Sequence, residues 1–264
     1  MVKSAKNAGL GPDLARRLHR ALTAGKEELF RILEDTSGDV LATALKNPGL
    51  DDNHLLALLK RRDLSEDLLK GVYKLKQVAE SHSLKVALVQ NPGTPGPVVL
   101  ALLPHVYLFE LLTLCYLPGV TPDQRLAAER AIIQRLPTTP LGNKMTLAHR
   151  GTAAVVEALL KEGDPRFLDA CLANPRLRES AVFQFINGPA ATGETISAVA
   201  RHPRFAHRPN IQLAVLRNQK TPAVWFTLFL PRLNRNDLHG LITSRRLTGS
   251  QKTLVEEELR RRTR

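Results

Sequence analysis

A shift of 127 residues lays this chain on itself. Without a gap, Asn47-Pro48 falls on Asn174-Pro175 and Asn91 on Asn218, while Thr94-Pro95 lands on Thr221-Pro222 and Leu103-Pro104 on Leu230-Pro231. The apolar frame moves with them: Leu41 onto Leu168, Leu45 onto Leu172, Leu50 onto Leu177, Leu59 onto Ile186 and Val72 onto Val199. A long internal period marks a repeat architecture, in which each repeat buries its apolar face on the next. The duplication gives a first unit at 11–137 and a second at 138–264, with residues 1–10 expected to be a flexible segment or a weak cap.

Each unit divides again. The punctuation reads Asn47-Pro48-Gly49, Asn91-Pro92-Gly93-Thr94-Pro95 and Leu136-Pro137-Thr138-Thr139-Pro140, then Asn174-Pro175 and Asn218-Gln219-Lys220-Thr221-Pro222, with a fainter first mark at Asn7-Ala8-Gly9. Spacings of 38 to 45 residues match the length of a HEAT or armadillo repeat, so that six repeats of about 42 residues fill the chain. Asn is expected to end a helix in the left-handed conformation, after which Pro prevents continuation. Thr is expected to cap the next helix with Pro at its first position, as in Thr94-Pro95, Thr121-Pro122, Thr139-Pro140 and Thr221-Pro222, with Asp164-Pro165 and Ser65-Glu66 as variants.

Between the marks, apolar residues recur at three- and four-residue steps, as in Leu55, Leu56, Leu58, Leu59 and Leu68, Leu69, Val72. Almost no stretch alternates long enough to argue for a strand. The reading is therefore all-α, an α-solenoid of about eighteen helices at three per repeat. Val98 to Leu103 and its counterpart Val224 to Leu230 are apolar all round, which predicts helices sandwiched between neighbours.

The phrase Ala44-Leu45-Lys46-Asn47-Pro48-Gly49-Leu50, followed by Leu55-Leu56 and Leu58-Leu59, resembles HEAT-like and leucine-rich repeat variant solenoids of bacteria, as do Val86 to Pro92 and Leu168 to Leu177. The resemblance covers most of the chain and rests on punctuation and packing, so it implies a fold and no chemistry. Some repeat-variant proteins hold an iron–sulfur cluster on clustered cysteines. Cys115 and Cys171 stand alone here, so that feature is not carried over.

With 43% apolar and 24% charged residues, the composition is that of a folded soluble chain. Two unclustered cysteines read as buried thiols in a reduced compartment, and the expected location is cytoplasmic. No apolar run approaches the length needed to cross a bilayer. The N-terminal cations Lys3, Lys6, Arg16, Arg17 and Arg20 lack the apolar stretch of a secretory signal.

The charge is shared unequally. Residues 11–137 hold 16 Lys and Arg against 15 Asp and Glu, whereas 138–264 hold 20 against 10. The densest stretch, Thr195 to Thr253, carries Arg201, Arg204, Arg208, Arg217, Lys220, Arg232, Arg235, Arg245, Arg246 and Lys252, with Asp237 as its only acid. Arginine's planar fork suits bidentate phosphate or carboxylate binding, and a clustered basic stretch is the electrostatic footprint of a nucleic-acid binder. The bland alternative is a solvated arginine-rich surface. The segment Arg201-His202-Pro203-Arg204-Phe205-Ala206-His207-Arg208-Pro209 is the most pointed local feature, since Phe205 offers a ring to stack on a base beside the arginines. Equally, Phe205 is a candidate to pin the loop to the core. The run Arg260-Arg261-Arg262-Thr263-Arg264 reads as a frayed, solvated end.

No catalytic constellation stands above background, and no cofactor or metal is expected. His202 and His207 lack a third ligand, and His54, His105, His149 and His239 are scattered. Phosphate-binding Walker loop, dinucleotide fingerprint and nucleophile elbow are all missing. The expectation is a non-catalytic binding scaffold. Its neutral first unit docks a protein or supports the fold. Its second unit meets an anionic partner, RNA or DNA, through Arg201, Arg204, Phe205, Arg208, Arg217, Lys220, Arg232, Arg235, Arg245 and Arg246. The alternative is an adaptor for an acidic peptide or helix. A remoter one is a HEAT-like DNA glycosylase, with Asp237 as its carboxylate and Trp225 beside an extruded base. For those two residues, helix capping and core packing are the simpler roles.

Overall fold

The structure, a computed structural model, describes residues 11–263; the weak-cap expectation for 1–10 and the Asn7-Ala8-Gly9 mark lie outside the described residues. Nineteen α-helices and three 3-10 turns are present among the described residues, with no strand. The chain divides into two compact units between Ile132 and Ile133, a few residues ahead of the join that the sequence period gives.

The first unit runs α1 (Pro12–Thr23), α2 (Lys26–Ile32), α3 (Gly38–Ala44), α4 (Asp52–Leu59), α5 (Glu66–Tyr73), α6 (Lys76–Glu80), α7 (His82–Gln90), α8 (Gly96–Leu102), a 3-10 turn at Leu103–His105, α9 (Leu108–Tyr116) and α10 (Pro122–Arg135). The second unit runs α11 (Leu141–Arg150), α12 (Ala153–Glu162), α13 (Pro165–Ala173), α14 (Glu179–Ile186), α15 (Gly193–Arg201), α16 (Pro209–Leu216), α17 (Ala223–Phe229), a 3-10 turn at Leu230–Arg232, α18 (Arg235–Ile242) and α19 (Gly249–Thr263). Once the 127-residue shift is applied, α2, α3, α4, α5, α7, α8, α9 and α10 begin where α12 to α19 begin. Helix α1 is offset by two residues from α11, and α6 has no helical counterpart, since 203–207 is turn. Pro203 stands there in place of Lys76 and holds His202 in an extended conformation, with φ −68° and ψ 125°.

Most of these helices are too short to persist alone; packing holds them. In the first unit α1, α3 and α5 stack as one layer and α2, α4 and α7 as another. In the second unit α11, α13 and α15 form one layer and α12, α14 and α16 the other. Fully buried Leu55, Leu58, Leu84 and Leu88 fasten α4 to α7, and Val182, Ile186, Val215 and Leu216 fasten α14 to α16, each burial stabilising by about 2 kcal/mol.

Helices far apart in sequence are clamped by six buried or half-buried side-chain amides, three in each unit. Asn47 Nδ2 donates to Ala21 O (2.9 Å) and Ala24 O (3.1 Å), and Asn91 Nδ2 to Leu59 O (2.9 Å) and Arg61 O (2.7 Å). Asn174 Nδ2 donates to Ala148 O (2.8 Å) and His149 O (3.1 Å), and Asn218 Nδ2 to Ile186 O (2.6 Å). Each Asn Oδ1 accepts the backbone N–H two residues on, from Gly49, Gly93, Arg176 or Lys220. Gln124 Nε2 donates to Asn91 O (2.8 Å), while Gln251 Nε2 donates to Gln219 O (3.1 Å) and Thr221 O (3.2 Å). Every clamp thus donates to carbonyls at the end of an earlier helix or turn; Asn91 O accepts from Thr94 N as well.

This corrects the expected role of Asn. No non-glycine residue among those described has positive φ, and Asn91 and Asn174 are extended, with ψ 124° and 122°. They act through their side chains on the preceding repeat. The Thr-Pro starts also divide. Thr121 caps α10 by accepting from Gln124 N (3.2 Å), and Ser65 and Asp164 cap α5 and α13. Thr94 and Thr221 instead donate to Leu88 O (2.7 Å) and Val215 O (2.5 Å), and Thr139 donates to Arg135 O (2.8 Å), with Pro95, Pro222 and Pro140 at the caps. Nor are α8 and α17 sandwiched: Leu100 is 61% exposed and Val224 55%, so each helix keeps one bare apolar face.

Candidate functional site

The basic field of the second unit is built on helix ends. Trp225 Nε1, on α17, donates to Ser197 Oγ on α15 (2.9 Å), which ties the two helices together. Arg201 ends α15 and Arg232 ends the 3-10 turn after α17. Arg204 lies in the turn after α15, Arg208 is the N-cap of α16, and Arg235 opens α18. Arg217, Lys220, Arg245 and Arg246 sit at the other ends of α16 and α18. Arg208 and Arg217 cap opposite ends of α16, about 13 Å apart along its axis. The residues named from sequence therefore do not all converge on one point.

Several of these cations are already engaged. Arg204 donates to Asn174 O (2.6 Å), Pro175 O (3.2 Å) and Leu177 O (2.6 Å), sealing the preceding turn. Lys220 Nζ donates to Pro189 O (3.2 Å) and Ala191 O (2.7 Å). Arg235 donates to Arg262 O (3.3 Å), Arg246 to Asn187 Oδ1 (3.4 Å), and Arg208 lies 3.8 Å from Glu179. Arg201, Arg217, Arg232 and Arg245 are exposed and, among the described residues, have no side-chain hydrogen-bond or ion-pair partner. They are the cations free to meet an outside anion.

Phe205 corrects one expectation: it is only 2% exposed. Its ring lies against His202 (centroids 5.4 Å apart), with the Arg204 guanidinium 5.1 Å from its centroid. It pins the loop and offers no face to a base. Burial holds the His202 pKa below its ordinary value, helped by Arg204 and opposed by Asp169. The C-terminal arginine run is not simply frayed, because Arg262 donates to Leu233 O (2.6 Å) and Leu230 O (2.7 Å) and pairs with Glu258 (2.8 Å).

Asp237 donates its backbone N–H to Asn234 Oδ1 (2.7 Å) in the first turn of α18, and Trp225 is buried. The described residues contain no group of three His, Cys, Asp or Glu that could hold a metal ion, and no helix long and apolar enough to cross a membrane. Both thiols are buried, which pushes Cys115 and Cys171 up to about 12.

Sequence reasoning missed a feature of the first unit. His82 Nε2 lies 2.9 Å from Glu110 Oε2, its ring stacks on Tyr107 at 4.1 Å, and Tyr107 N donates to Glu110 Oε2 (2.9 Å). The pair borders a cleft of about 490 Å³. Its members stand on different helices 28 residues apart, so no local spacing announces them. No protein-family model matches the chain, and no curated protein matches it significantly in sequence.

Proposed function

We propose that this protein is a non-catalytic α-solenoid of six HEAT-like repeats, a binding scaffold whose second unit holds RNA or DNA through phosphate contacts. The two-layered packing within each unit and the recurring amide clamps support the repeat architecture. One observation carries the functional reading. Arg201, Arg217, Arg232 and Arg245 are exposed and unpartnered in a unit whose Lys and Arg outnumber its acids two to one. Unneutralised guanidinium groups on a folded surface attract a polyanion without reading its sequence. Their position at helix ends complements the helix dipole only for Arg201, Arg217 and Arg245. Arg232 ends a 3-10 turn of three residues, too short to carry a comparable dipole.

The engaged cations Arg204, Arg208, Lys220, Arg235 and Arg246 frame the surface and add to its field. The near-neutral first unit serves as support or docks a protein, and cytoplasmic action suits two buried, reduced thiols. The test is a titration of labelled single- and double-stranded RNA and DNA at two salt concentrations. Binding that is indifferent to sequence and falls steeply with salt supports the reading. Absence of binding at low salt overturns it and leaves the adaptor for an acidic segment.

A further inference from the structure

We propose that the cleft of the first unit is a docking site for an acidic protein segment, one that lays an aliphatic side chain on Leu56 and Val86 and sets a carboxylate against Lys60 and Arg62. The cleft is bounded by α4, α7 and residues of α9 and its following turn, and at about 490 Å³ it falls within the size range of sites that enclose part of a ligand. Leu56, Leu59, Val86 and Ala87 give it an aliphatic lining. Leu56, Val86 and Ala87 are half-buried, so apolar surface remains for a partner to cover.

Charge selects the partner. Lys60, the C-cap of α4, is exposed and without a side-chain partner among the described residues. Arg62 donates one N–H to Pro118 O (3.2 Å), which leaves most of its fork uncommitted. The one acid on the lining, Glu110, is taken up by His82 and by the backbone N–H of Tyr107. The unmatched charge facing the cleft is therefore positive, at the end where α4 and α7 finish. An apolar floor beside unmatched cations is complementary to a segment with leucine or isoleucine close to aspartate or glutamate.

The second unit supplies an internal control, because the same positions there carry different side chains. Phe183 stands for Leu56, Leu213 for Val86, Asn187 for Lys60 and Pro189 for Arg62. Arg246, standing for Gly119, reaches back to Asn187 Oδ1. Bulkier groups occupy the floor positions, and Lys60 and Arg62 have no cationic counterparts there, although Arg246 brings one guanidinium to Asn187.

The experiment is a titration of the methyl-labelled full chain, followed by NMR, with short synthetic peptides carrying leucine beside glutamate. Control peptides replace the glutamates by glutamine or the leucines by serine. Shifts centred on Leu56, Val86 and Ala87 are expected, with each control peptide binding about tenfold more weakly or worse. Lys60→Glu, at an exposed side chain, should weaken binding about tenfold without changing the melting temperature. The double variant Leu56→Phe, Val86→Leu carries side chains already present at the matching positions of the second unit and should abolish the shifts. Shifts confined to methyl groups of the second unit, or equal affinity in these variants, would overturn the proposal.

Discussion

Position for position, the two units share a scaffold and differ in what they expose. Each has three amide clamps at matching places, Asn47, Asn91 and Gln124 against Asn174, Asn218 and Gln251. Each has a 3-10 turn after its apolar eighth or seventeenth helix. Yet Lys and Arg nearly balance Asp and Glu in the first unit, 16 against 15 over residues 11–137, and outnumber them in the second, 20 against 10 over 138–264. Even the spanning arginine has changed sides. Arg62 reaches from the turn after α4 to Pro118, while Arg246 reaches from the turn after α18 to Asn187. Buried polar groups must keep their partners or lose stability, whereas exposed positions change at little cost. The framework has therefore stayed alike and the surfaces have parted.

The comparison breaks most readily at the clamps. Asn174→Ala strips donors from Ala148 O and His149 O and the acceptor from Arg176 N at a site 1% exposed. The expected loss is about 3 kcal/mol. Asn218→Ala, at a half-buried clamp with one carbonyl partner, should cost about 1 kcal/mol. Urea unfolding of both variants checks the order; equal losses would mean that the clamps do not work through the carbonyls they satisfy.

A smaller effect is expected where the spanning arginines differ. Gly119 has φ +87°, and a Cβ there would run into the Arg62 guanidinium. Gly119→Ala should destabilise by about 1–2 kcal/mol, while Arg246→Ala, at an exposed side chain with one long hydrogen bond, should stay within about 0.5 kcal/mol. Thermal melts of the two variants compare the sides directly.

Much of the fold was legible because its causes are local. Apolar spacing marked the helices, and Ser65, Thr121 and Asp164 act within three residues of themselves. Asn91 was legible as a boundary but not as a clamp, since its acceptors Leu59 and Arg61 lie about thirty residues earlier and follow from stacking. Gln124 and Gln251 carried no signal for the same reason. At the candidate site, charge excess was readable from composition. Which cations were spent on carbonyls, as in Arg204 and Lys220, was not, nor that the Phe205 ring is turned into the core.

The smallest effect separates the loops that differ most, α6 in the first unit and the turn holding His202 in the second. The His202 pKa is lowered by burial, so below the ordinary histidine range the unfolded chain takes up the proton more readily than the folded one. Stability from this residue is present above that range and is lost as pH falls through it. His202→Asn should flatten the decline in melting temperature between pH 7.5 and about 5, whereas His82→Asn should leave the decline due to His202 in place.

The most direct measurement compares two fourfold variants of the full chain in one nucleic-acid titration. The first replaces Arg201, Arg217, Arg232 and Arg245 by Gln; the second replaces Arg16, Arg31, Lys46 and Lys74, exposed cations of the first unit without side-chain partners among the described residues. Both remove the same charge. The account predicts that only the first variant loses most of its affinity and flattens the salt dependence, by about one unit of slope for each phosphate contact removed, with folding unchanged. Equal losses in both variants would contradict it, because binding would then follow net charge and not the surface of the second unit.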